Sequence, residues 1–362
     1  MKLLHIINSL HFGGAEKLLL DTVPEFKKKG LDVEVMVLHN EKTFFYQELE
    51  ERYKIKIIAP KKLRSIYSLS HIFWIRKYIK QYDIIHVHLF PSLYWLGFAT
   101  LFLKHKTKLL FTEHSTENRR RHLPLFKYLD KYIYNKYHKI IAISEGVKNN
   151  LQNYLRNNHT TIKLINNGIN TKLFQESIGY SNSDIGLPEK AKIVIQISSF
   201  TDQKDQDTLL KAIELLPKDV HLLLVGNGVL IEEKKKLASH LKISERVHFL
   251  GYRNDVSRLL KTSDICILSS HYEGFGLAIV EGMASGLPCV ATNVDGLSQV
   301  VESAGLLFES KDHIKLKEIL HQLFSNKEYY DKVSKQCADR AKQYDISLMI
   351  DAHINLYNEM LN

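Results

Sequence analysis

The stretch DICILSSHYEGFGLAIVEGMASGLPCVAT, residues 264–292, has the pattern of a strand, a glycine-rich turn, a helix and a second strand. Its first six and last seven residues are apolar runs typical of strands buried on both faces of a parallel sheet. The segment between them contains three glycines, Gly274, Gly276 and Gly282, and two glutamates, Glu273 and Glu281. Each glycine inside a helix costs about 1 kcal/mol, so a turn is predicted first, with the helix beginning near Gly276 or Leu277.

The alternation of apolar runs with helical patterns occurs twice along the chain. The runs of the first half are 2–8, 31–38, 54–58, 83–89, 108–112, 139–144 and 161–165, and those of the second half are 192–198, 220–226, 246–251, 264–269 and 286–292. Strands that alternate with helices predict doubly wound parallel sheets. The predicted fold class is therefore α/β, with two Rossmann-like domains that face a cleft and with helices at the C-terminus.

The domain boundaries are predicted from composition. Residues 166–190 are rich in Gly, Asn and Ser, as interdomain segments are. We therefore predict an N-terminal domain at 1–165, a linker at 166–190 and a C-terminal domain at 191–340. A last helix at 341–362 is expected to cross back to the N-terminal domain.

Positive charge is concentrated in the first half. Residues 1–165 contain 28 Lys and Arg against 14 Asp and Glu, whereas residues 166–362 contain 22 against 26. The basic clusters are Lys27–Lys29, Lys61–Arg64 and Arg119–His122. Any one cluster is most simply a solvated surface, but the asymmetry favours an anionic partner: a phospholipid surface, a phosphate-bearing substrate or nucleic acid.

The compartment is predicted from three further features. The cysteines, Cys266, Cys289 and Cys337, form no CxxC pair, which is typical of a reducing compartment. The N-terminal stretch is too polar for a signal peptide. The longest uncharged run, 89–103, is too short to span a bilayer, and we interpret it as a helix buried in a core. We expect a cytoplasmic protein, with peripheral association at the inner face of the membrane.

Several predicted strand ends lead into features that bind phosphate. Glycines follow two of them, at Gly13-Gly14 and at Gly226, and Lys204 precedes a predicted helix. Helix N-termini with free N–H groups and a nearby cation attract anions. Asp205 and Asp207 resemble a DxD metal pair, but we interpret them as helix-capping residues.

The two glutamates of the opening stretch suggest the rest of the ligand. Glu273 lies in the predicted turn and Glu281 about one turn inside the helix, so they reach different parts of one ligand. Carboxylates accept hydrogen bonds from vicinal hydroxyls, which both a sugar and a ribose offer. A diphosphate at the glycine turn then makes the expected ligand a nucleotide sugar.

No metal ion or other cofactor is expected. His86 and His88 stand on the predicted strand 83–89, where we expect them to face opposite sides and not to share an ion.

These motifs resemble glycosyltransferase family 4, whose members have the GT-B fold and retain anomeric configuration. The pattern from Glu273 to Glu281 matches the E-x7-E signature of that family. The other matching segments are GGAE at 13–16, AISEGVKNNL at 142–151, NNGINTKLF at 166–174, LVGNG at 224–228, VHFLGYRNDV at 247–256 and GLPCVAT at 286–292.

The resemblance implies roles for individual residues. It implies that Glu281 binds the ribose hydroxyls, that Glu273 contacts the transferred sugar and that Lys204 neutralises the diphosphate. It makes Glu273, His114 and Lys204 the expected catalytic residues, with His114, in FTEHS, near the transferred sugar. The other residues implied to bind the sugar donor are Gly13, Gly14, Ser199, Gly226, Gly251, Tyr252, Val256, Gly274, Phe275, Gly276 and Leu277. The resemblance implies that the loop from Gly251 to Val256 frames the nucleobase.

Two departures from the family pattern affect the diphosphate end. Ser199 stands where family members have an arginine. Residues 295–299 read DGLSQ, where the family often shows Gly-Gly followed by Glu.

The function implied is sugar transfer from a nucleoside-diphosphate sugar, such as a UDP-sugar, in bacterial surface polysaccharide synthesis. The basic first half, with Phe90, Leu93, Tyr94, Trp95 and Phe98, suits a glycan or polyprenyl-linked acceptor at an anionic membrane. A nucleotide-sugar epimerase or hydrolase with a similar cleft is the alternative. A nucleic-acid-binding protein is disfavoured because no RNP-like or helix-turn-helix motif is recognisable.

Overall fold

The structure is a computed structural model that describes residues 1–62, 64–155 and 160–362, so Leu63 of the second basic cluster lies outside it. The chain divides into two units. The first contains Met1–Gly168 and Ile346–Asn362, and the second contains Ile169–Asp345. Each unit is built around one parallel sheet.

The sheet of the first unit has seven parallel strands in the order β3-β2-β1-β4-β5-β6-β7. Their bounds are β1 Lys2–Ile7, β2 Asp32–Val37, β3 Lys56–Ile58, β4 Ile84–His88, β5 Lys108–Glu113, β6 Lys139–Ala142 and β7 Thr161–Leu164. β1 pairs with both β2 and β4. The strand order therefore reverses at β1, and ligands of such sheets bind at the carboxyl ends of the strands beside this point.

In the described part of this unit the helices are α1 Gly14–Lys28, α2 Phe44–Gln47, α3 Ser70–Arg76, α4 Ser92–Ala99, α5 Pro124–Tyr134, α6 Glu145–Tyr154 and, from the end of the chain, α15 Ile346–Leu361. The C-terminal helix α15 packs on α1 and on the sheet. The Tyr357 hydroxyl is 2.8 Å from His86 Nδ1, and its ring lies 5.7 Å from the Phe26 ring. The predicted C-terminal helix thus belongs to the first unit from Ile346 onward.

The sheet of the second unit has six parallel strands in the order β10-β9-β8-β11-β12-β13. Their bounds are β8 Lys192–Ile197, β9 Val220–Val225, β10 Val247–Gly251, β11 Ile265–Leu268, β12 Cys289–Thr292 and β13 Leu306–Phe308. The order reverses at β8, which pairs with β9 and with β11. The edge strand β13 was not predicted, because three residues are too few to give a periodic pattern.

The helices of the second unit are α7 Thr171–Glu176, α8 Gln206–Glu214, α9 Ile231–His240, α10 Val256–Thr262, α11 Leu277–Ala284, α12 Ser298–Val301, α13 His313–Ser325 and α14 Lys327–Ala341. Shorter helical turns occur at Glu48–Arg52, Ile79–Gln81, Arg119–His122, Ser183–Ile185, Ser244–Arg246 and Lys342–Tyr344. The predicted α/β class with two Rossmann-like parallel sheets is confirmed. Among the described residues, every helix is too short or too polar to cross a membrane.

Most of the segment predicted as a linker, 166–190, belongs to the second unit. Its polar residues begin helix α7, because the Asn170 side chain accepts a hydrogen bond from the Leu173 N–H at 3.1 Å. Phe174 in the same helix is buried. Composition alone does not distinguish a capping asparagine from a flexible one.

Candidate active site

The turn before α11 is shaped by glycine. Gly276 is the N-cap residue, and its φ of +87° and ψ of 56° lie in the left-handed region that favours glycine. A Cβ at Gly276 would lie 2.5 Å from Leu297 Cδ1. Gly276 has no side chain with which to cap α11, and the backbone N–H groups at the start of a helix can bind an anion. The helix begins at Leu277, as the sequence predicts.

Gly296 supports this turn from the loop after β12. Its φ is +82°, and a Cβ there would lie 2.3 Å from the carbonyl oxygen of Glu273 and 2.7 Å from that of Gly274. Gly296 was not predicted as a site residue. The sequence offered one signal for this residue. Residues 295–299 depart from the family pattern but keep one of its two glycines, Gly296, which stands where the two loops meet.

Lys204 and Glu273 meet at the carboxyl ends of β8 and β11, where the strand order reverses. The Lys204 ammonium donates hydrogen bonds to the Glu273 carboxylate and, at 3.2 Å, to Ser270 Oγ. The two charged side chains are only 10% and 14% exposed, so water screens their attraction weakly. The two residues expected to be catalytic in this unit are therefore in direct contact beside the glycine turn.

The loop that contains Ser199 is held by Gln206. The Gln206 side-chain amide donates to the Ser199 carbonyl at 2.9 Å and to Ser198 Oγ at 3.2 Å. The Ser199 side chain is exposed, with its hydroxyl 3.4 Å from that of Thr201. A neutral side chain thus occupies the position of the arginine in the family pattern.

Gly226 brings the ends of three strands together. Its φ is +133°, and a Cβ there would lie 2.1 Å from the Ser198 carbonyl oxygen. Its N–H donates to the Gly251 carbonyl at 2.8 Å. The loop after Gly251 carries Tyr252, which is 51% exposed, and leads to Val256 at the start of α10.

Asp205 and Asp207 have structural partners. Asp205 is the buried N-cap of α8 and accepts hydrogen bonds from the Thr208 N–H at 3.2 Å and the Thr208 hydroxyl at 2.7 Å. Asp207 forms an ion pair with Lys234 at 2.7 Å. Asp205 is thus a capping residue, as interpreted from the sequence, whereas Asp207 connects α8 to α9.

The structure therefore brings together Lys204, Glu273 and residues Gly274–Leu277, and places Gly226 beside Gly251. Phe275 is buried in this turn, and its ring packs edge-on against Tyr344 at 5.2 Å. Glu281 lies one turn inside α11 and is half-buried.

In the first unit, Gly13 and Gly14 begin α1 after β1. Gly13 is the exposed N-cap, and the Glu16 carboxylate folds back over it, 2.3 Å from where a Cβ would lie. Burial raises the pKa of Glu16 to about 7, although a hydrogen bond from its own N–H partly opposes this. A Cβ at position 13 would displace this carboxylate, which is the movable end of the Glu16 side chain.

His114 follows β5 at the carboxyl edge of the same sheet, half-buried. His114 Nε2 is 3.0 Å from His88 Nδ1, and His88 Nε2 is 3.0 Å from His5 Nδ1. Burial lowers the pKa of His114 to about 4 and that of His5 to about 3. His114 is therefore a neutral imidazole near pH 7, and its ring is held by a row of buried histidines.

The expectation that His86 and His88 face opposite sides of β4 is wrong. Their ring centroids are only 4.3 Å apart. Residues two apart in a strand share a face, and only successive residues alternate.

Two expectations about the acceptor region are also wrong. Arg120 and Arg121 are not surface cations: they pair with Asp130 at 3.2 Å and with Glu113 at 2.5 Å, and their side chains are 6% and 8% exposed. Of the aromatic and apolar residues of α4 expected near the acceptor, Leu93, Tyr94 and Trp95 are buried in the core. Charge and hydrophobicity along a sequence do not show which groups neutralise or cover each other.

Known proteins are similar to this chain in sequence and in architecture. The family model described as Glycosyltransferase Family 4 matches residues 12–173, and the model described as Glycosyl transferases group 1 matches residues 181–343. The N-acetyl-alpha-D-glucosaminyl L-malate synthase of Bacillus anthracis is 27% identical over 287 residues, which cover 77% of this chain and 75% of that protein.

A second relative is the UDP-Gal:alpha-D-GlcNAc-diphosphoundecaprenol alpha-1,3-galactosyltransferase of Escherichia coli. It is 27% identical over 213 residues, which cover 55% of this chain and 54% of that protein. Among solved structures, Anabaena HepE in complex with UDP and glucose has a TM-score of 0.87 and 21% identity, covering 99% of this chain and 100% of that one. That likeness shows the GT-B fold.

The two family models match consecutive halves of the chain in the order in which its two parallel sheets occur. This chain belongs to glycosyltransferase family 4 and is a glycosyltransferase.

Proposed function

We propose that this chain moves a sugar from a UDP-sugar to a hydroxyl of a glycan or polyprenyl-linked acceptor, with retention of anomeric configuration, in surface polysaccharide synthesis. The observation that carries the proposal is the uncapped glycine turn of α11 beside the Lys204–Glu273 pair. UDP and glucose in HepE, and the diphosphoundecaprenol acceptor in the name of the Escherichia coli relative, support the choice of substrates.

The ion pair suggests how the site responds to the sugar donor. A diphosphate at the start of α11 competes with Glu273 for the Lys204 ammonium, because phosphate oxygens accept strong charge-assisted hydrogen bonds. Lys204 then neutralises the leaving group, and the released Glu273 accepts hydrogen bonds from hydroxyls of the transferred sugar. Binding of the sugar donor thereby assembles the arrangement that stabilises charge in the transition state.

In the proposed reaction the bond between the anomeric carbon and the diphosphate oxygen breaks, and the bonding electrons leave with the diphosphate. The acceptor hydroxyl attacks the same face of the sugar, and its proton passes to the departing diphosphate oxygen. Glu273 is not assigned as a nucleophile, because its carboxylate, once released from Lys204, accepts hydrogen bonds from hydroxyls of the transferred sugar in this proposal. The diphosphate charge is carried by Lys204 and the α11 N-terminus, so we propose a metal-independent transfer.

The test is a screen of the purified chain against UDP-glucose, UDP-galactose, UDP-N-acetylglucosamine and GDP-mannose. We expect a saturable thermal shift with a UDP-sugar, and product only when a polyprenyl-diphosphate or glycan acceptor is added. The product should keep the donor's anomeric configuration by NMR and should form in the presence of EDTA. Turnover of the nucleotide sugar at the same rate without any acceptor would instead indicate a hydrolase or an epimerase.

We also propose that the first unit binds an anionic membrane surface through α5. The exposed face of this helix carries Tyr128, 78% exposed, Tyr132, 46% exposed, and the lysines Lys127 and Lys131. Amphipathic aromatic rings next to lysines suit the headgroup region of an anionic bilayer.

Liposome flotation tests this surface. We expect the chain to float with phosphatidylglycerol vesicles at low salt, and the quadruple variant K127Q/Y128S/K131Q/Y132S to remain largely at the bottom of the gradient. The control is K235Q/K236Q on α9, which removes two exposed lysines from the second unit. Equal flotation of the α5 variant and the native chain would exclude α5 as the membrane contact.

A further inference from the structure

Three side chains from two adjacent loops converge at the carboxyl edge of the first sheet. His11 lies in the loop after β1, and His39 and Glu41 lie in the loop after β2. Glu41 Oε2 is 3.1 Å from His11 Nε2 and 3.4 Å from His39 Nε2. All three candidate ligand atoms lie within 4.8 Å of one another. From this geometry we propose that His11, His39 and Glu41 bind a zinc ion.

The spacing fits zinc. Ligand atoms held tetrahedrally at about 2.0–2.1 Å from the ion lie about 3.3 Å from each other, close to the two His–Glu distances. Two imidazoles and one carboxylate form a ligand set that zinc uses when one coordination position stays open. Magnesium and calcium prefer oxygen ligands throughout, so this set favours zinc over them.

His39 is already oriented as a ligand. Its Nδ1 is 2.9 Å from the Arg64 carbonyl oxygen, to which only a protonated Nδ1 can donate. With Nδ1 donating to this carbonyl, Nε2 is the nitrogen left to bind an ion, and it faces Glu41. A backbone carbonyl on the far nitrogen is the outer contact that fixes metal-binding histidines in proteins.

The surrounding loops are fixed by hydrogen bonds. The His39 N–H donates to the Asn8 carbonyl at 2.9 Å, the Thr43 hydroxyl to the Leu10 carbonyl at 2.5 Å, and the Asn40 side-chain amide to the Pro60 carbonyl at 2.9 Å. These bonds connect the segments on which the three ligands stand, so zinc binding requires only small side-chain movements.

The site is also accessible. The side chains of His11, His39 and Glu41 are 47%, 27% and 54% exposed, so an ion can enter from solvent and its open position can take water or a ligand oxygen. The buried group His5, His86 and His88 is less suitable, because Thr112 and Tyr357 already occupy both nitrogens of His86, at 2.6 and 2.8 Å.

The experiment titrates the chelator-treated full chain with zinc chloride in competition with a chromophoric zinc indicator. We expect one zinc per chain, and we expect H11Q, H39Q and E41Q each to weaken binding by at least about 100-fold, since loss of an outer contact alone costs 10–100-fold. The matched control is H122Q/E117Q, which removes another exposed His–Glu pair of the same unit. It should bind zinc like the native chain.

Cobalt provides a second readout, because its visible absorption reports coordination geometry. The native chain should give a tetrahedral cobalt spectrum that H39Q lacks, while tryptophan fluorescence shows that H39Q is folded. Zinc binding of native strength in H11Q and H39Q, or no zinc bound by the native chain in the presence of the indicator, would overturn the proposal.

Discussion

Replacement of Lys204 by alanine lowers kcat/KM for sugar transfer by roughly 10²–10³-fold, the cost of removing one preorganised group that stabilises developing charge. The substitution removes the cation beside the α11 turn and leaves Glu273, 14% exposed, without its ion-pair partner. Because Ser199 is neutral where family members have an arginine, position 199 supplies no second positive charge for the diphosphate.

Glu273→Gln tests the other half of the pair. The amide keeps the volume of the side chain but no longer attracts Lys204, so we expect a similar loss of kcat/KM. The binding of UDP alone, which has the diphosphate and lacks the sugar, should separate the two variants. Lys204→Ala weakens it, whereas Glu273→Gln preserves or strengthens it, because Lys204 no longer has a competing carboxylate.

Steady-state kinetics and calorimetric UDP titration measure these effects. The matched control is Lys211→Ala, which removes an exposed lysine from α8, two turns beyond Lys204. Its kinetics should equal those of the native enzyme. A Lys204→Ala enzyme within threefold of the native kcat/KM would remove Lys204 from the mechanism.

The sequence predicted the parts of this site that depend on local pattern. The strand, turn and helix around Glu273 and Gly276 follow from apolar periodicity and glycine spacing, and α11 begins at the predicted residue. The supporting contacts from Gly296 and Gln206 were missed. Each depends on which loops meet in space, and a single sequence does not report that.

The errors in the first unit have the same origin. Arg120 and Arg121 are basic in sequence but are neutralised by Asp130 and Glu113, from other elements. The apolar run of α4 is buried in the core, as its length and composition predicted, so Leu93, Tyr94 and Trp95 do not form the acceptor surface that was also expected of them. Local pattern specifies secondary structure well, whereas burial and pairing of charge are decided by tertiary neighbours.

The second large effect concerns the stability of the first unit against acid. His5, His86, His88 and His353 are almost fully buried around β1, β4 and α15. Burial, helped in the first three by neighbouring histidines, lowers the pKa of each; it falls to about 3 for His5 and about 4 for His353. In the unfolded chain a histidine has a pKa of about 6.5.

The sign of the effect follows from these pKa values. Below about pH 6.5 these histidines bind protons in the unfolded chain but not in the folded unit. The free energy of unfolding therefore falls as the pH falls toward the folded pKa values. At pH 5 this costs about 2 kcal/mol for each of His5 and His353, and the lowered pKa values of His86 and His88 act in the same direction. Four of them remove several kcal/mol of a total that is commonly about 5–15 kcal/mol.

Urea unfolding at pH 7.5, 6 and 5 measures this loss. Both tryptophans, Trp74 and Trp95, lie in the first unit, so their fluorescence follows its unfolding and not that of the second unit. His5→Leu should reduce the slope of the unfolding free energy against pH, near pH 5, by about 1.4 kcal/mol per pH unit. This is the slope that the uptake of one proton on unfolding contributes. The exposed-histidine control His122→Gln should keep the native slope. A slope near pH 5 that is the same in His5→Leu and in the native chain would contradict the prediction.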